Sequence, residues 1–195
     1  MRTTWMLDGA YLFAAPTGSG RIDYLKLKRL LEGENGGPFN DTYYLNATPN
    51  PPRDQKDAFH TWLKAAPPHG PHMTVQLYAL KTIRTTCASC GTPGTRLVQK
   101  GVDVGIATLS IRLAVQERYD RLILCAGDGD FKDALGYVKD LGKEIWLAGF
   151  NRTISADLQA LAARVIWLDQ LWESIRRDHP RQNAVRPQPL GQGLS

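Results

Sequence analysis

Cysteine is scarce, and the little there is cannot staple the chain. The three cysteines are an odd number, and Cys125 lies inside an apolar run, so a disulfide framework is excluded. Long hydrophobic runs are missing too. No stretch approaches the ~18 apolar residues of a membrane span, and Asp8 interrupts what would be the apolar region of a signal peptide. The chain therefore reads as soluble and cytoplasmic. Acid is in shorter supply than base, 19 residues against 24, and the net charge of +5 favours an anionic partner such as nucleic acid. The deficit is uneven. Residues 174–195 carry Arg176, Arg177, Arg181 and Arg186 against Asp178 alone, and from Lys81 to Lys100 there is no acid at all.

Against these absences, 43% of the residues are hydrophobic, enough for a sizeable core in one domain. The boundary falls near 178, because residues 179–195 hold Pro180, Pro187, Pro189 and two late glycines with little to bury, and read as a flexible tail. Within 1–178, short apolar strands alternate with amphipathic helices. Thr3–Leu7, Asp41–Ala47, Met73–Lys81, Arg121–Cys125, Glu144–Ala148 and Val165–Leu168 read as strands. Helices are expected from an Asp23 N-cap to Gly33, between Pro51-Pro52 and Pro67-Pro68, and along Val102, Ile106, Leu109 and Leu113. Others are expected from Phe131 to Leu141, from Thr153 or Ser155, and over Leu171–Arg176. Such alternation argues for a three-layer α/β/α sandwich with a mainly parallel sheet. Trp146, Trp167 and Trp172 are assigned to its core.

Two of the strands end in acid. Leu7 is followed by Asp8-Gly9, and Cys125 by Ala126-Gly127-Asp128-Gly129-Asp130. Ligand chemistry in an open α/β sheet sits beyond the carboxyl ends of the strands, and a helix returning from that end would bring Asp103 to the same edge. The plainer reading makes Asp128 a turn residue and Asp130 a helix cap. Four crowded carboxylates raise one another's pKa unless positive charge intervenes. A bound divalent cation supplies it, and hard oxygen ligands suit Mg²⁺ or Mn²⁺. Such an ion lowers the pKa of a bound water and stabilises charge on a phosphoryl oxygen, as phosphodiester hydrolysis requires.

Three segments, Leu7-Asp8-Gly9-Ala10-Tyr11, Lys100-Gly101-Val102-Asp103-Val104 and Ala126-Gly127-Asp128-Gly129-Asp130-Phe131, resemble in order and spacing the three motifs of NYN domains. That family, which includes a LabA-like bacterial branch, belongs to the PIN-like nucleases. The resemblance covers about residues 3–168. It implies a Rossmann-like sandwich and a metal-dependent ribonuclease site, with Asp8, Asp103 and Asp128 as metal and water ligands and Asp130 beside them. The chain differs from the family pattern at Tyr11, where Asn is frequent, at Leu109, where many members carry another acid, and at Ala126, where Ser is common.

Three further features bear on function. Arg84, Arg96 and Lys100 are candidates for holding RNA phosphates, since cations position nucleic acid without reading its sequence. Tyr11 and Phe13 could stack on a base, although aromatic residues beside a core strand are more often packing. Cys87-Ala88-Ser89-Cys90 has half of a zinc-site spacing, with His69 and His72 as conceivable partners, but an intervening strand would hold the two pairs about 30 Å apart. The cysteines are read first as reduced and structural, and a Zn²⁺ site as the lesser reading. The leading functional expectation is a metal-dependent endoribonuclease acting on single-stranded RNA. A catalytically weak RNA-binding module and a phosphatase acting on small nucleotides are the alternatives, and a homodimer is compatible with each.

Overall fold

The computed structural model describes residues 1–14, 21–49, 54–86 and 88–178, without the side chains of 54–56. Residues 16–20, whose proline and glycines read as a turn, the prolines at 51–52, Cys87 and the tail at 179–195 lie outside the described residues.

In chain order the elements are β1 (Thr3–Asp8), α1 (Gly9–Phe13), α2 (Tyr24–Asn35), β2 (Asp41–Thr48), α3 (Asp54–Lys64), β3 (Thr74–Ala79), β4 (Lys81–Thr86) and β5 (Pro93–Val98). They continue with α4 (Val102–Val115), β6 (Arg121–Cys125), a 3₁₀ turn (Gly129–Phe131), α5 (Lys132–Asp140), β7 (Glu144–Gly149), α6 (Ala156–Leu161), β8 (Arg164–Trp167) and α7 (Trp172–Ile175). Six strands form one parallel sheet in the order β3-β2-β1-β6-β7-β8. This is the sandwich expected from the alternation.

Burial on both faces explains the apolar runs Trp5–Leu7 of β1 and Leu122–Cys125 of β6, in strands whose every residue is buried. Alternate side chains divide the core. Met6, Leu122, Leu124, Ile145 and Leu147 pack beneath Ile106 and Leu109 of α4, Leu135 of α5 and Leu158 of α6. Trp5, Leu7, Ile123, Trp146 and Ala148 pack beneath Leu12, Leu27, Leu63 and Ile175 from α1, α2, α3 and α7. Trp146 is buried, and Trp167 and Trp172 pack partly buried against the core, as assigned.

The sheet grows outward in both directions from the β1–β6 pair, through β2 to β3 on one side and through β7 to β8 on the other. The crevice at such a switch point opens beyond the carboxyl ends of its two central strands, here after Asp8 and Cys125.

The expected boundaries need three corrections. The strand proposed over Met73–Lys81 runs from Thr74 to Ala79: the Leu80 N–H makes the last bond to β2, at the Thr48 carbonyl (3.0 Å), and Lys81 already belongs to β4. The acid-free stretch from Lys81 to Lys100, to which the sequence pattern assigns no further strand, carries an antiparallel hairpin, β4–β5, paired from Lys81↔Val98 to Thr86↔Pro93. Helix α2 passes Gly33 and stops only where Gly36 takes φ +77, the left-handed conformation that glycine adopts most readily. Among the described residues no helix is long and apolar enough to cross a membrane.

Candidate active site

Asp8 is both the last residue of β1 and the N-cap of α1. Its Oδ1 accepts from the Ala10 N–H at 2.9 Å and the Tyr11 N–H at 3.3 Å, satisfying two donors that a helix start leaves open. Both bonds fall on one oxygen, so among the described residues Oδ2 has no protein partner. Burial raises the Asp8 pKa. The two N–H bonds oppose that rise, and the nearby Asp103 and Asp128 charges reinforce it.

Asp103 stands exposed in the first turn of α4, and Asp128 caps the 3₁₀ turn after β6, where its Oδ1 accepts the Asp130 N–H at 3.0 Å. The pKa of Asp103 is also raised, by partial desolvation first, then by Asp128 and Asp130, against its own backbone bond. The structure brings the four acids named from the sequence to one edge, near enough for their charges to interact. Among the described residues no Lys, Arg or His pairs with any of them, although nine ion pairs form elsewhere.

The donor set is hard oxygen, close enough for mutual repulsion. It does not close into a cage, since among the described residues no three His, Cys, Asp or Glu side chains gather tightly enough to hold an ion. Mg²⁺ commonly binds through only one or two carboxylates and completes its shell with water and substrate phosphate, so the residues fit an open site of that kind. A three-carboxylate arrangement of Asp8, Asp103 and Asp128, expected from the motifs, is not preformed.

Each acid has a glycine neighbour for a reason that only the fold reveals. A Cβ at Gly9 would overlap the Tyr44 hydroxyl, one at Gly105 would overlap the Tyr78 hydroxyl, and one at Gly127 would come within 2.8 Å of the Tyr11 ring. At Gly127 it would also strike the Thr153 carbonyl. Three tyrosines therefore seat the three acid-bearing segments. Tyr11 belongs to this scaffold rather than to a base-stacking surface. Thr153 donates its hydroxyl to the Phe150 carbonyl at 2.8 Å, so Tyr11 donates to Thr153 Oγ1 at 2.6 Å and accepts from the Phe150 N–H at 3.1 Å. Phe13 is the aromatic residue left at this edge, 85% exposed at the end of α1. Leu109 turns into the core at 3% exposure, so an acid there would be buried among apolar side chains, not added to the cluster.

Lys81, Arg84 and Arg96 lie exposed on the hairpin, with Lys100 at its return to α4 and Asp103, and none of them enters an ion pair among the described residues. Cys90 Sγ lies 3.1 Å from Thr92 Oγ1 near the hairpin tip. His69 and His72 precede β3, at the opposite end of that strand from the hairpin, so the structure keeps them from sharing an ion with Cys90.

The chain is a parallel three-layer α/β sandwich with carboxylates at its switch point. Residues 3–169 match the profile of the NYN domain, and the chain belongs to that family, which places it among the PIN-like nuclease domains. The crystal structure of a protein of unknown function from Vibrio parahaemolyticus RIMD 2210633 is similar in fold, with a TM-score of 0.64 and 19% identity over 90% of this chain and 96% of that one. No curated protein matches the chain.

Proposed function

We propose that the protein is a metal-dependent endoribonuclease that cleaves RNA at the carboxyl edge of its sheet. The observation that carries this reading is the group of four acids at the switch point, two of them with raised pKa and none paired with a cation among the described residues. Carboxylates left in that condition destabilise the fold unless a cation joins them. When bound, Mg²⁺ or Mn²⁺ would lower the pKa of a water and offset charge on a phosphoryl oxygen. Asp8, held through Oδ1 by two backbone N–H groups, offers its Oδ2, which no described residue bonds, to the ion, and Asp103 and Asp128 complete the anionic rim. The hairpin cations draw the phosphate chain toward this edge, and Phe13 is placed to stack on a base.

A binding module that has lost catalysis is the competing reading, and it rests on Tyr11 and Leu109. Both side chains are engaged away from the acids, Tyr11 with Phe150 and Thr153 and Leu109 in the core, which favours retained activity.

The test is cleavage of a labelled single-stranded RNA by purified protein with Mn²⁺, with Mg²⁺ and with EDTA, beside Asp128→Asn. The expected result is metal-dependent cleavage that falls more than about 100-fold in the variant, beyond the loss seen when residues around metal ligands are changed. Equal cleavage by both proteins rejects the site. Silence from both, with RNA still bound in EDTA, selects the binding module.

A further inference from the structure

We infer that the β4–β5 hairpin is an arm that takes two strands of one folded RNA, one on each face, at the point where a stem opens. This deepens the RNA reading above and rests on it. The register places Lys81, Ile83, Arg96 and Val98 on one face of the ribbon and Thr82, Arg84, Thr95 and Leu97 on the other. Every residue of both strands except Val98 is exposed.

An isolated two-stranded ribbon is marginal in water and ordinarily leans one face on a core. This one leaves both faces free and gives them matching chemistry. Each carries an arginine, at least one threonine (Thr85 on the first face, Thr82, Thr86 and Thr95 on the second) and an exposed aliphatic side chain, Ile83 at 37% and Leu97 at 52%. Arginine and threonine are phosphate-contacting types, and the aliphatic groups offer apolar contact to sugars and bases. The absence of any acid from 81 to 100 fits an anionic occupant on both sides. The ribbon is also rooted at the acidic edge, since β4 follows the carboxyl end of β3 and β5 returns through Lys100 to Asp103.

A single phosphate chain running along one face meets Arg84 or Arg96, not both, because their side chains leave the ribbon in opposite directions. A closed A-form stem does no better. Its major groove is too narrow and deep for side chains to enter, and its shallow minor groove meets one surface only. Two separated strands of a fork satisfy both faces, and one of them continues as the single strand toward the acids.

The experiment is fluorescence anisotropy with the full chain carrying Asp128→Asn, in EDTA, so that cleavage plays no part. Three labelled RNAs are compared: a single strand, a blunt stem, and the same stem with two single-stranded arms. The fork should bind tightest, by about tenfold, and Arg84→Glu and Arg96→Glu should each weaken it about tenfold and lower its salt slope by about one unit. Circular dichroism of the two exposed-site variants confirms that they fold. Equal affinity for fork and single strand, tighter binding of the blunt stem, or loss from only one arginine variant would overturn the two-strand arm. Failure to bind any of the three RNAs by a protein whose wild type cleaves single strands overturns the arm and leaves the nuclease reading standing.

Discussion

The two edges of the central sheet treat charge in opposite ways. At the amino edge, Arg2 pairs with Asp120 at 2.7 Å, Arg121 with Glu144 at 2.7 Å and Arg118 with Asp41 at 3.3 Å, and Lys143 and Arg164 pair with Glu117 and Glu34. Hydrogen bonds from the Arg2 side chain and backbone pull Asp120 down to about 2. Burial pushes Glu144 up, but bonds from Trp146 and Arg121 outweigh it and leave its pKa lowered. At the carboxyl edge Asp8 and Asp103 are shifted the other way, with no cation among the described residues paired to compensate. One end uses charge to hold the sheet together. The other keeps charge unneutralised at a cost to the fold, as a site kept for binding a cation would.

Breaking the paired edge should have the largest effect on stability. The Arg121 side chain is 10% exposed, lies 3.8 Å from the centre of the Trp146 ring and bonds both Glu144 and Asn35 Oδ1. Arg121→Ala should cost about 3 kcal/mol in urea unfolding, near the value for breaking a largely buried pair, with cleavage per folded molecule unchanged. Next comes the seating of the unpaired edge. Gly127→Ala forces a Cβ against the Thr153 carbonyl and the Tyr11 ring, so it should cost about 2 kcal/mol and reduce cleavage beyond the loss of folded protein, because Asp128 is the next residue.

The smallest effect has the opposite sign. Asp8→Asn keeps an N-cap and removes a strained carboxylate, so the metal-free protein should gain about 1 kcal/mol near pH 7 while losing cleavage. Because the folded pKa of Asp8 is raised, the wild-type penalty builds as pH rises from the unfolded carboxylate value through the folded one. The gain in the variant should therefore vanish at acid pH. The Asp120 pair runs in reverse. Its contribution is present above the unfolded pKa and is lost as pH falls toward about 2. Thermal melts of both proteins across pH check the crossing.

Much of this contrast was legible in the residues. Apolar runs ending in Asp-Gly announced β1, β6 and the acids beyond them, because fully buried parallel strands leave a continuous hydrophobic signature. The hairpin was not legible. Thr82, Arg84, Thr95 and Arg96 are exposed on both faces, so no apolar alternation marks a strand. The directions of Tyr11 and Leu109 were hidden as well. Tyr11 is fixed by Phe150 and Thr153, far along the chain, and Leu109 by a core that assembles only on folding. The glycines beside the acids were visible, but their cause was not, since it lies in Tyr44 and Tyr78 on neighbouring strands.

The most direct measurement is the melting temperature of the wild type and of an Asp8→Asn, Asp128→Asn double variant as Mn²⁺ is titrated in. An ion that binds only the folded state stabilises it by about 2.7 kcal/mol at 100 times its Kd. If the carboxyl edge is kept unneutralised for a cation, the wild type melts progressively higher as Mn²⁺ rises and the double variant does not respond. A flat wild-type curve, or an equal rise in both proteins, would contradict it.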